Sequence, residues 1–379
     1  MPTRAARTSL VLGAMALVAA RLFGLFELFV LGTGMLIAPL IAMALVRRPL
    51  PIPDVDCSTT PRQPREGDRL RIELSFDASR RTPAYDVRQF VDGRIVAGTR
   101  VPPLSAGSHR TLTVDLAARE RGEMVIGPTS FMYVDPLALA RRVVPVDDVH
   151  SILIHPDRVV TVAPSLRNGE GRLIDALRRA RGRAPTERDF RGVRGYQRGD
   201  DIRRVNWKAS AKRDSLLVNE YDPDSDVVLQ VIVDTRHDRH RDDTFEVAMR
   251  VAASLIDCSP DADARVVLCV GDAITRIDAA TVGLDLLASA STHPQPTLTA
   301  PDSPDPTAVL ARVVITGRVD AELCASLESV TPTNGAAVVI ACDTIDAALP
   351  REWMSMVCPT LDDFARRWPD FVRPAGRGI

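Results

Sequence analysis

Aromatic side chains are scarce in this sequence, at 4% against 45% hydrophobic residues overall, so its cores must be aliphatic. A dominant charge is lacking too: 48 Lys and Arg against 49 Asp and Glu leave a net charge of −1. That balance is ordinary for a globular protein, and 379 residues allow two domains that each bury a core. The six cysteines (57, 258, 269, 324, 342 and 358) show no C-x-x-C spacing. This argues against a disulfide framework or a zinc site and fits a reducing compartment. G-x-S-x-G, H-E-x-x-H and a Walker lysine are all missing, which leaves hydrolase chemistry without a local signature.

Long hydrophobic runs are confined to the N-terminus. From Thr8 to Val46 only two of 39 residues are charged, Arg21 and Glu27. About 20 apolar residues cross a bilayer, so this length predicts two crossings. Gly24 and the two charges mark the bend of a transmembrane helical hairpin over 8–46, with residues 8–26 leading in, 28–46 leading back and Arg21 snorkelling. Arg4 and Arg7 precede it and Arg47 and Arg48 follow it, which puts both ends on the cytoplasmic side of a bacterial inner membrane. The rival is a signal peptide cleaved after Ala20, in which case 28–46 acts as stop-transfer and the body still faces the cytoplasm.

Five prolines within 49–67 predict an extended tether. Leu70, Ile72, Leu74 and Phe76 then alternate with polar residues, as do Leu112, Val114 and Leu116. With turn signals at Asp92-Gly93, Gly107, Gly122 and Gly127-Pro128, this predicts an all-β immunoglobulin-like sandwich over 68–155, a spacer or interaction module. Residues 156–226 form a basic connector; within 178–213 there are 13 Lys or Arg against 4 Asp or Glu. Arg178, Arg179, Arg181 and Arg183 suit a helix starting near Leu173, and the stretch attracts anions: an acidic partner, anionic lipid or nucleic acid. From 227 to 379, buried-strand patterns such as VVLQVIVD alternate with helical ones such as TFEVAMRVAASLID, predicting a doubly wound α/β domain. A proline-rich loop, 291–306, interrupts it.

The densest mixture of turn glycines, paired charges and aromatics is RGVRGYQRGDDIRRVNWKASAKRDSLLVNEY, 191–221. Its order Y-Q-x-G-D-D-x-R-R-x-N-W-K-A-S-A-K-R resembles the signature of domain-of-unknown-function family 58. Arg121-Gly122, Gly127-Pro128, Asp135-Pro136-Leu137 and His155-Pro156 extend the resemblance upstream. It implies a membrane protein whose C-terminal domain is von Willebrand factor A-like. It also implies a partner, a MoxR-type AAA+ ATPase, and thus a membrane-anchored, non-enzymatic adaptor in envelope or complex assembly. Arg194, Tyr196, Gly199, Asp200, Asp201, Arg203, Arg204, Trp207, Lys208 and Glu220 would form its signature surface. Trp207 is expected as a buried anchor bracing the domains, and Arg203 and Arg204 as holding Asp200 and Asp201 ionised, which suits an ion-pair lattice better than proton transfer.

Cation-binding A-domains carry D-x-S-x-S at the end of the first strand, where oxygens surround Mg²⁺. Here Asp234 takes the first position, with Arg236 and Asp238 in place of hydroxyl residues; Asp272 is a third carboxylate. The expectation is a degenerate site whose cation place Arg236 fills, with weak Mg²⁺ binding as the alternative. His237 and His240 have metal-pair spacing that a solvated loop explains as well. Two other functions stay open: nucleic-acid binding by 178–213, where aromatics are few (Phe190, Tyr196, Trp207), and a metal-dependent hydrolase at the strand ends of the α/β domain.

Overall fold

A computed structural model describes all residues except 147–148, 162–189, 196–206, 212–215, 222–226, 242, 259–263, 278, 295–297, 299–308, 332–335 and 373–379. The chain divides into two compact units, Met1–Ile154 and His155–Ile379.

The first unit opens with helices α1 (Arg4–Phe23) and α2 (Phe26–Arg47), both long and apolar enough to cross a membrane. Thr3 caps α1 by accepting the Ala6 N–H at 3.2 Å, and Gly24 ends it in the left-handed region at φ 68°. The bend thus falls at Gly24, as expected, but Arg4 and Arg7 lie inside α1 rather than before it. The helices cross at two glycines: a Cβ on Gly32 would stand 2.9 Å from the Gly13 carbonyl oxygen. Ser9 Oγ donates across the same crossing to the Met35 carbonyl at 2.9 Å.

Eight strands follow: β1 (Asp54–Thr60), β2 (Arg69–Ala78), β3 (Tyr85–Val91), β4 (Arg94–Val101), β5 (Ser108–Ala117), β6 (Gly122–Val134), β7 (Arg141–Val146) and β8 (His150–Ile154). They make two antiparallel sheets, β1-β2-β5 and β4-β3-β6-β7, with β8 also pairing with β6. Leu70, Ile72, Leu74 and Phe76 are all buried, and Phe76 and Tyr85 meet the Phe131 ring edge-on at 5.7 and 5.5 Å. Asp92 and Gly93, both at positive φ, form the turn from β3 to β4. The sequence expectation of a tether over 49–67 needs correction. Pro53 and Pro61 flank a stretch free of proline, so residues 54–60 keep their N–H groups and pair as β1 along β2. The β-rich body therefore begins at 54, and His155 belongs to the second unit.

The helices are fastened to this body at the turn between β6 and β7. Asp135 is buried and accepts the Leu137 and Ala140 N–H groups, while Ala138 adopts φ 56°. Against that turn the Thr3 N–H donates to the Leu139 carbonyl at 2.9 Å, and Pro2 bridges Ala140. Ala140 packs on Ala42 and Val46, and Arg142 Nη1 donates to the Arg48 carbonyl at 3.0 Å.

In the second unit, β9 (Phe190–Gly195) and β10 (Leu217–Tyr221) form an antiparallel ribbon. The main sheet comprises β11 (Val227–Val233), β12 (Ala264–Val270), β13 (Ala273–Ile277), β14 (Val309–Thr316), β15 (Ala336–Ala341) and β16 (Trp353–Val357), in the order β13-β12-β11-β14-β15-β16. Every pairing is parallel except β12 with β13. Helices α3 (Thr244–Asp257), α4 (Ala280–Ser289) and α6 (Leu361–Val372) bury apolar faces on one side, and α5 (Ala321–Ser329) covers the other. His155 and Arg158 bind the start of the unit to these helices, through Asp285 at 2.8 Å and Asp257 at 2.9 Å.

Candidate functional site

In an open parallel sheet, the crevice for a ligand lies at the strand carboxyl ends, where the winding reverses. Here the reversal is at β11, which pairs with β12 on one side and β14 on the other, and Asp234 follows it directly. The crevice is occupied by the chain itself. Arg236 Nε donates to Asp234 Oδ1 at 2.9 Å and Nη2 to Oδ2 at 2.8 Å, a bidentate pair that is 2% and 1% exposed. The Arg236 N–H reaches Oδ1 at 3.2 Å, and Thr316 Oγ1 donates to Oδ2 at 3.0 Å. Four protein donors thus converge on one carboxylate.

The loop beyond is held as tightly. His240 Nε2 bonds the Asp234 carbonyl at 2.6 Å; burial pulls the imidazole below its ordinary pKa, against the pull of that bond. Arg239 is buried and bonds Asp320 and Glu322, the latter at 2.6 Å. Burial alone would lower its guanidinium, but these carboxylates more than offset it and hold it above its ordinary value. Gly317 allows the loop to close, since a Cβ there would overlap the Arg239 carbonyl oxygen. His293, from the proline-rich loop, adds a parallel bridge to Arg236.

The three carboxylates proposed from sequence are not gathered. Asp234 is saturated, Asp238 lies exposed beside Arg239 at 3.2 Å, and Asp272 is exposed in the turn between β12 and β13. Among the described residues no group of three or more His, Cys, Asp or Glu is arranged to hold a metal ion. Sequence reasoning missed Thr316, Gly317 and Asp320, which lie some 80 positions beyond Asp234 and carry no local signal.

Of the signature surface, Arg194 lies on β9 opposite Val218, and Glu220 on β10 opposite Gly192. Trp207 and Lys208 begin a single helical turn, Trp207–Ser210. Tyr196, Gly199, Asp200, Asp201, Arg203 and Arg204 fall outside the described residues, as does the helix expected near Leu173. Trp207 corrects an expectation: it is 64% exposed, not a buried anchor, because the contact that holds this turn is Ser210, buried and bonded to Leu217 at 2.9 Å.

Residues 192–281 match the family described as protein of unknown function DUF58. The matched DUF58 segment runs from β9 into α4 and takes in Trp207, Asp234, Arg236 and His240. No curated protein matches the chain. Among solved structures, the CARDB domain of a Pyrococcus furiosus protein, solved with di-metal ions, is 16% identical, with 28% of this chain and 94% of that one covered and a TM-score of 0.21. A domain of a putative cell surface protein from Methanosarcina acetivorans is 17% identical (27% and 90% covered, TM-score 0.19). A β-glucosidase from Erythrobacter marinus is 15% identical (27% and 15% covered, TM-score 0.19). At these values the likenesses carry no argument about activity.

Proposed function

We propose that this protein is a membrane-anchored, non-enzymatic adaptor that presents its signature surface to a partner protein of the MoxR-type AAA+ ATPase class. The observation that carries the reading is Trp207. A tryptophan left 64% exposed is the kind of side chain on which protein interfaces concentrate binding energy. The basic stretch around it would favour an acidic partner face. The class of partner comes from the resemblance of 191–221.

Three further features support the assignment. The order of the parallel sheet, with helices on both faces, suits a von Willebrand factor A-like domain, a fold that serves as a binding module. Its switch-point carboxylate is already neutralised by Arg236, which favours a recognition or structural role for that loop over cation-dependent hydrolysis. The two apolar helices, with Arg4, Arg7, Arg47 and Arg48 at one end, would hold the body on the cytoplasmic face of the inner membrane. Free thiols at Cys258, Cys269, Cys324, Cys342 and Cys358 agree with that compartment.

Crosslinking and affinity purification of the full-length protein from native membranes tests the reading. An AAA+ ATPase should be recovered with the native chain and lost with Trp207→Ala, which removes an exposed side chain rather than one packed in a core. Recovery of nucleic acid in its place, or of an ATPase retained by Trp207→Ala, would overturn the assignment.

A further inference from the structure

Both ends of the helical hairpin are gathered at the turn between β6 and β7, and this brings together a set of charges that the sequence scatters. Arg4 and Arg7 lie on the first turns of α1, directly after the residues that bond Leu139 and Ala140. Arg47 and Arg48 close α2, where their carbonyls accept from Arg142. Arg141 and Arg142 open β7. Five of these six arginines are exposed and Arg142 is half-buried. Among the described residues none of the six has a carboxylate partner. Asp135, the acidic residue of the turn itself, is buried with its oxygens committed to the Leu137 and Ala140 N–H groups. On the same turn Leu137 projects as an exposed apolar side chain, and Val143 follows on β7.

We infer that this end of the first unit is a collar that binds the anionic phospholipid surface, with the six arginines on headgroup phosphates and Leu137 inserted among them. Unneutralised guanidinium groups beside two membrane-length helices match the charge and planar fork geometry of phosphate. An exposed leucine on a turn rigidly shaped by Asp135 matches the shallow apolar layer just beneath. The collar differs from the basic stretch 178–213 in sequence and in structural unit. The inference rests on the reading of α1 and α2 as a membrane hairpin.

The test uses the full-length protein in nanodiscs. Leu137→Trp, compared with the unsubstituted chain, isolates emission from that one position. A minor fraction of brominated phosphatidylglycerol should quench it several-fold more than the same fraction of brominated phosphatidylcholine. Each arginine near such a surface contributes about fivefold, so R4Q/R7Q/R141Q should cut the preference sharply while R4K/R7K/R141K keeps most of it. Equal quenching by the two lipids, or a preference that the glutamine substitutions leave undiminished, overturns the collar. Carbonate extraction separates the two failures: a chain that carbonate releases overturns the anchoring itself, whereas a resistant chain quenched equally overturns the collar alone.

Discussion

At the residue scale, the loop after β11 is decided by charge and close approach. Gly317 stands where a Cβ would be 2.1 Å from the Arg239 carbonyl oxygen, and that oxygen belongs to backbone that also accepts the Arg318 N–H. Gly317→Ala should therefore cost about 3 kcal/mol, at the upper end of overpacking effects, measured by denaturant unfolding. A wild-type midpoint in that variant would show that the loop can shift. His240 gives a pH dependence. Its folded pKa lies below the 6.5 of the free side chain, so the unfolded state binds the proton more readily. Stability from this group is full above pH 6.5 and falls as pH drops below it. His240→Gln should flatten the melting temperature between neutral and mildly acidic pH; an unchanged slope would place the sensitivity elsewhere. Arg236 was legible in the sequence as a partner for Asp234, because it sits two positions away. Thr316 was not, since only the parallel pairing of β11 with β14 brings it there.

At the scale of elements, periodicity was legible wherever one face is buried. The alternation in β2 and the helical face of α3 both appear where the pattern put them. Other elements escaped, the ribbon of β9 and β10 within 190–221 among them. β1 was hidden by the prolines that bound it, and β13 because AITRI is short and half-exposed along an antiparallel edge. The crossing of α1 and α2 was not legible either, because a glycine among apolar residues reads as tolerated rather than required. Gly32→Leu should force the helices apart at Gly13. With cysteines introduced at Ser9 and Met35, disulfide formation in membranes should then fall at least several-fold relative to the same pair without Gly32→Leu. Undiminished crosslinking would mean that the crossing does not depend on close backbone approach.

At the scale of the whole molecule, the helices and the β-rich body belong to one compact unit. Removing residues 1–48 uncovers Ala140 and strips Arg142 of its carbonyl acceptors. The truncated chain should unfold with a β-body less stable by about 3 kcal/mol, the scale of one lost apolar contact and a few partly exposed hydrogen bonds. Calorimetry against full-length protein in detergent checks this, and matching transitions would show that the anchor contributes nothing to the fold it carries. The sequence made two membrane-length helices legible but not their attachment, because Asp135-Pro136-Leu137 reads only as a turn.

That attachment also sets an order of events during synthesis. Thr3 finds its acceptor on Leu139, 136 positions later in the chain. At translation rates of 5–20 residues per second, the clasp cannot close until roughly 7–27 s after Thr3 has left the ribosome. Throughout that interval the nascent helices are without their docking turn, and an insertion machinery has them to itself. If the helices cross a membrane as proposed, orientation in the bilayer is then chosen first, by charge, and the finished β-body afterwards locks the choice in place.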